Sequence, residues 1–161
     1  MERIYLLLGT NIGNLEENLE RALRFIEARG IRILKKSKIY KTAPWGFSEQ
    51  PDFLNLALEV ASDLTPDSLL RTLKEIETQM GRIETGGRWL PRIIDVDILF
   101  MDDLVVDRAD LQIPHREFFN RPFAIRILSE IAPDFQPPGR VARITDLLEG
   151  GVDEGIEIYR D

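Results

Sequence analysis

Residues 3–8, Arg-Ile-Tyr-Leu-Leu-Leu, are a short apolar run of strand length, too brief for a signal peptide or a membrane helix. Gly9-Thr10-Asn11-Ile12-Gly13 then reads as a turn, and Asn14, with Glu17 three residues on, can cap a helix. Leu15, Leu19, Ala22, Leu23 and Ile26 follow at helical spacing, and Gly30 ends the run. Two strands are expected at 31–40 and 53–62. The second alternates Phe53, Asn55, Ala57 and Glu59 on one face with Leu54, Leu56, Leu58 and Val60 on the other. Thr65-Pro66-Asp67 supplies a cap, an N1 proline and a first-turn acid for a second helix, whose stripe is Leu69, Leu70, Leu73, Ile76 and Met80 before Gly81. A polar loop leads to a strand at 93–101. This order, βαββαβ, predicts an α+β fold with a ferredoxin-like core. A helix at 117–129, a proline-rich stretch and a short helix at 144–149 form a C-terminal extension. No repeat or long linker interrupts the chain, so residues 1–161 are expected to make one compact domain.

Charge narrows the partners. The net charge is −7, against a nucleic-acid-binding surface, yet basic residues gather in two places. One group is Arg71, Lys74, Arg82, Arg88 and Arg92; the other is His115, Arg116, Arg121 and Arg126. Local arginines on an acidic protein suit a small anionic ligand. Cysteine is absent, which rules out disulfides and thiolate zinc sites and fits a reducing compartment. The expectation is a cytoplasmic monomer without membrane or nucleic-acid partners.

The chemistry concentrates at Arg-Trp-Leu-Pro-Arg-Ile-Ile-Asp-Val-Asp-Ile-Leu-Phe, residues 88–100. On a strand, Asp95 and Asp97 project to one side while Ile94, Val96 and Ile98 face the other. Two adjacent carboxylates repel and are costly to desolvate, and a hard divalent cation relieves both. Without nearby cysteine, Mg²⁺ is the first choice. A solvated Asp-x-Asp pair is the plain alternative, but Arg82, Arg92 and the single histidine, His115, add the donors of a phosphate site. No Walker loop, G-x-G-x-x-G or G-x-S-x-G is present. Phe53 and Asn55, on one strand face, offer a stacking surface and an amide.

The stretch Arg88-x-x-Pro91-Arg92-x-x-Asp95-Val96-Asp97-Ile98-Leu99 resembles the signature of the 6-hydroxymethyl-7,8-dihydropterin pyrophosphokinases. Leu8-Gly9-Thr10-Asn11, Tyr40-x-Thr42-x-Pro44, Gln50-Pro51-x-Phe53-x-Asn55, Glu77-x-x-x-Gly81-Arg82 and Pro114-His115 match in the family's order. Leu90 departs from it, since a small residue is usual there. The resemblance implies transfer of the β,γ-diphosphate of ATP to a hydroxymethyl pterin, with release of AMP, in folate biosynthesis. It implies that Asp95 and Asp97 hold two Mg²⁺ ions with ATP, and that Arg82, Arg92 and His115 act on the phosphates. Phe123 and the ring of residue 45 or 53 would sandwich the pterin, Asn55 would read its edge, and Thr42 and Pro44 would line the pocket. Trp45 and Trp89, in the two loops, suggest lids that exclude water. For the nucleotide, the resemblance points to Leu70, Lys74, Glu77, Trp89, Arg121 and backbone groups near Ile98 and Leu111. Glu77 and Lys74 also stand three apart on one helix, where an ordinary ion pair would form. The alternatives are another Mg²⁺-dependent phospho- or nucleotidyl-transferase and a ferredoxin-like RNA-binding module.

Overall fold

A computed structural model describes residues 3–43, 51–81, 93–148 and 156–161. Its main sheet contains β1 (Ile4–Thr10), β2 (Arg32–Lys36), β3 (Ile39–Thr42), β4 (Phe53–Ala61), β5 (Asp95–Met101) and β8 (Ile156–Arg160). The strand order is β5-β1-β4-β3-β8, with β2 also paired to β4. Every pairing in it is antiparallel. A small hairpin pairs β6 (Val106–Asp107) with β7 (Gln112–Ile113). Three α-helices, α1 (Leu15–Ala28), α2 (Pro66–Gln79) and α3 (Pro122–Ile131), complete the α+β architecture.

The alternation of the strands divides the core into two layers. Leu6, Leu8, Leu54, Leu56, Leu58, Val96 and Ile98 bury one sheet face against Leu19, Ala22 and Ile26 of α1 and Leu69, Leu73 and Ile76 of α2. Each Leu, Ile or Val among these contributes about 1.5–3 kcal/mol when fully buried. The other face carries Tyr5, Leu7, Tyr40, Ala57 and Phe100 and packs on α3 with Phe118, Phe135 and Ile144. Phe100 meets Phe118 and Phe135 edge to face, with ring centres 5.0 Å apart in both pairs. The Tyr40 hydroxyl donates to Glu130 Oε1 at 2.6 Å, tying α3 to β3. Burial first, then that bond, pushes the Tyr40 phenol up to about 12.

The helix caps follow the sequence. Asn14 accepts from the Glu17 N–H, and Thr65 from the Ser68 N–H. Other expectations are corrected. Gly9 and Thr10 belong to β1 and not to a turn. The strand expected at 31–40 is broken into β2 and β3, because Ser37 takes over the pairing: its Oγ accepts from the Ala57 N–H and donates to the Lys38 carbonyl. The helix expected at 117–129 begins only at Pro122, the residue that cannot continue a preceding turn, after a 3₁₀ turn at Phe118–Asn120. The expected helix at 144–149 is a 3₁₀ turn at Ile144–Leu147. The strand β8 had not been expected at all.

Candidate active site

The register of β1 assembles the site. Gly9 lies opposite Asn55 of β4 on one side and opposite Asp95 of β5 on the other. Leu7 is flanked in the same way by Ala57 and Asp97. On β3, Tyr40 and Thr42 lie opposite Asn55 and Phe53. All these residues therefore share one sheet face. There, residues of the sheet and of α3 enclose a cavity of about 290 Å³. Thr42, Phe53 and Asn55 form one wall, Asp95, Asp97 and His115 another, and Arg121 and Phe123 complete it at the start of α3.

Asn55 is almost fully buried, and its Nδ2 donates to Thr42 Oγ1 at 2.6 Å. That bond fixes the amide, with Oδ1 lying over Gly9. A Cβ added at Gly9 would stand 2.7 Å from that oxygen. Gly9 is thus a site residue that sequence reasoning missed: the glycine was visible, but its neighbours are set by register. We expect Gly9→Ala to displace Asn55, at an overpacking cost of about 1–3 kcal/mol. Thermal denaturation checks this, and a variant with unchanged melting would refute the close approach.

His115 is placed by its backbone, whose N–H donates to the Leu99 carbonyl at 3.0 Å. Its Nδ1 accepts the Glu117 N–H at 3.1 Å, so a neutral ring carries its proton on Nε2. Nε2 is 3.8 Å from Asp97 Oδ2. Burial is the main influence on this imidazole and holds its pKa below the usual range; Asp97 opposes the shift and Arg121 reinforces it. His115 is therefore a neutral donor aimed into the cavity. Arg121, whose guanidinium is 4.0 Å from Asp97 Oδ2, brings positive charge to the same wall.

The donor set fits a hard cation. Asp95 and Asp97 offer carboxylate oxygens on one face, and no group of three His, Cys, Asp or Glu side chains that could cage a metal occurs among the described residues. Two carboxylates leave coordination positions to water and phosphate, which is how Mg²⁺ is ordinarily held.

The residues expected at the nucleotide divide. Arg121 lines the cavity. Leu70 and Lys74 line a separate open groove on the outer side of α2, with Arg29, Asp67 and Asp110. The side chains of Ile98 and Leu111 are buried in the core, so only their backbones remain available. Glu77 turns inward, only 4% exposed, and its Oε2 accepts the Val96 N–H at 2.8 Å, whereas Lys74 is exposed. Glu77 thus grips the peptide between Asp95 and Asp97. Arg82, Trp89, Leu90, Arg92, Pro44 and Trp45 lie outside the described residues.

Comparison with known proteins identifies the family. Residues 5–133 match the family described as 7,8-dihydro-6-hydroxymethylpterin-pyrophosphokinase (HPPK). A 2-amino-4-hydroxy-6-hydroxymethyldihydropteridine pyrophosphokinase from Methylorubrum extorquens is 40% identical over 144 residues, covering 89% of this chain and 90% of that protein. The folate synthesis bifunctional protein of Arabidopsis thaliana is 39% identical over 130 residues, which is 81% of this chain but 27% of that longer protein. In fold, the chain resembles the crystal structure of Plasmodium falciparum HPPK-DHPS with a TM-score of 0.74 at 18% identity. That likeness covers 98% of this chain and 47% of the other. The chain belongs to the 7,8-dihydro-6-hydroxymethylpterin-pyrophosphokinase family.

Proposed function

We propose that this pyrophosphokinase transfers the β,γ-diphosphate of ATP to 6-hydroxymethyl-7,8-dihydropterin, yielding AMP and the pterin diphosphate for folate synthesis, and that the cavity described above is where it does so. One observation carries the assignment to this cavity: a carboxylate pair and an amide-and-aromatic pocket share it, separated on the sheet only by Gly9. A flat heterocycle held by Asn55, Thr42, Phe53 and Phe123 would present its substituent toward Asp95 and Asp97. Asp95 and Asp97 would hold Mg²⁺, two ions in the presence of ATP, which when bound neutralises triphosphate charge and lowers the pKa of the attacking hydroxyl.

The chain's own groups do the rest. Asn55, already locked by Thr42, reads the heterocycle edge without an ordering cost at binding. His115 donates its Nε2 proton to a phosphate oxygen, and Arg121 adds charge beside it. Arg82 and Arg92 are proposed to neutralise the remaining phosphate charge. Trp45 and Trp89 are proposed to close over the substrates, with Pro44 at the pocket rim, and so suppress hydrolysis. Leu70, Lys74 and the backbones near Ile98 and Leu111 are assigned to the nucleoside end. The reading extends to the fold: the order β5-β1-β4 followed by β3 and β2, with antiparallel neighbours, supports a ferredoxin-like core. A C-terminal extension, one domain over residues 1–161, a monomer and a cytoplasmic setting complete the proposal. No helix among the described residues is long and apolar enough to cross a membrane.

The test is product analysis with ATP, Mg²⁺ and the dihydropterin. AMP and the pterin diphosphate should appear in equal amounts and only with the metal. ADP as the nucleotide product would overturn the reaction type.

A further inference from the structure

The pairing of β1 with β5 stops at Gly9 and Asp95, so the backbone just before Asp95 has no ladder partner on that side. A side chain supplies one. Thr10 Oγ1 donates to the Ile93 carbonyl at 2.6 Å, extending the pairing by one hydroxyl. That hydroxyl is itself held. Asn18 Nδ2, from the first turn of α1, donates to Thr10 Oγ1 at 3.0 Å and to the Ile12 carbonyl at 2.7 Å. A hydroxyl has one proton, and accepting from Asn18 leaves that proton to point at Ile93. Both side chains are buried, Thr10 to 1% exposure and Asn18 to 6%.

We propose that Thr10 and Asn18 are a buried positioning pair for Asp95: a relay from α1 through β1 that fixes where the carboxylate strand begins, and hence where Asp95 stands relative to Asp97. On the far side of Asp95, Glu77 holds the Val96 N–H at 2.8 Å. The Asp95 backbone is therefore anchored on both flanks by side chains from different elements. Neither Thr10 nor Asn18 lines the cavity, so neither touches a substrate held there, and the bond to Ile93 leads to Asp95. The inference rests on the reading of Asp95 and Asp97 as the metal pair.

The variant is Thr10→Val, which keeps the shape and removes the hydroxyl, with Thr10→Ser as the conservative control. Metal affinity is measured directly, by calorimetric titration of Mg²⁺ in the presence of a non-hydrolysable ATP analogue, and beside it the Mg²⁺ dependence of turnover. Outer groups that orient metal ligands typically contribute 10- to 100-fold in affinity, and we expect about a tenfold loss in Thr10→Val. Thr10→Ser should restore wild-type affinity. Pterin binding without nucleotide, followed by fluorescence, should stay within about twofold, since only carboxylate placement is disturbed. Should Thr10→Val lose its cooperative thermal transition, Asn18→Ala carries the same expectation with a smaller shift, because it leaves the hydroxyl but frees its direction. An unchanged Mg²⁺ affinity in a folded variant, or an equal loss of pterin affinity, would overturn the proposal. If the wild-type enzyme itself turns over without Mg²⁺, the functional reading fails instead. A Mg²⁺-dependent wild type matched by Thr10→Val sinks only the positioning pair.

Discussion

Asp97→Ala loses turnover by about 10³-fold or more, and so does Asp95→Ala, while both variants stay folded. The magnitude comes from removing half of a metal site worth several kcal/mol of charge stabilisation, at about 1.4 kcal/mol per tenfold in rate. Folding survives because both carboxylates are only half-buried at a cavity wall and lie on the face opposite the aliphatic core. Removing one of two like charges also relieves repulsion in the free protein. For Asp97→Ala the neighbours His115 and Arg121 lose an anion at 3.8 and 4.0 Å, so the wall becomes more positive. Pterin affinity should change by less than about threefold, because the amide and ring contacts proposed for the pterin come from β3, β4 and α3. Single-turnover kinetics, circular dichroism melting and pterin titration together check the result. Retention of more than a tenth of wild-type turnover in either variant would remove the metal assignment.

The second large effect is expected at Asn55→Ala. The substitution deletes the amide proposed to read the pterin edge and leaves Thr42 Oγ1, deep in the sheet, without its donor. Two hydrogen bonds from this amide to the pterin, at about 1–1.5 kcal/mol each, correspond to about a 100-fold weaker pterin complex, whereas the lost Thr42 bond lowers the stability of the free and bound protein alike. The loss should fall on pterin binding and leave the affinity for a Mg²⁺-bound ATP analogue near wild type. Fluorescence titration of the pterin and calorimetry of the nucleotide separate the two. If both affinities fall together, Asn55 is holding the fold rather than reading a ligand. If neither falls, the pterin pocket lies elsewhere.

These two variants also mark how far the sequence could be read. The period of two along β4 and β5 was legible, and it correctly put Phe53 with Asn55 and Asp95 with Asp97 on common faces. It could not say that the two pairs share one cavity. That depends on β1 lying between β4 and β5, and on Gly9 being the residue between them, which is a fact of register. Glu77 shows the same boundary. Its spacing from Lys74 is compatible with a surface ion pair, and only the packing of α2 against β5 turns its carboxylate inward to Val96. Leu70 and Lys74 share a helix with Glu77 yet open onto a different groove, because the far face of α2 looks away from the sheet. The breaks at Ser37 and Pro122 arose from side-chain hydrogen bonding and proline sterics competing with periodicity.

By itself, then, the sequence determined β1, α1, β4, α2 and β5, the caps of the two helices, the two-sided pattern of the strands and the chemical types available: hard oxygen donors, guanidinium groups, one imidazole, an amide beside aromatic rings. Those follow from local geometry, in which neighbours along the chain are neighbours in space. Tertiary structure alone decided which faces look at one another. It set the Asp pair across Gly9 from Asn55, aimed the neutral His115 at Asp97, and buried Thr10 and Asn18 behind Asp95. Contacts between residues tens of positions apart are chosen by strand register and core packing, and no local pattern in the chain encodes that choice.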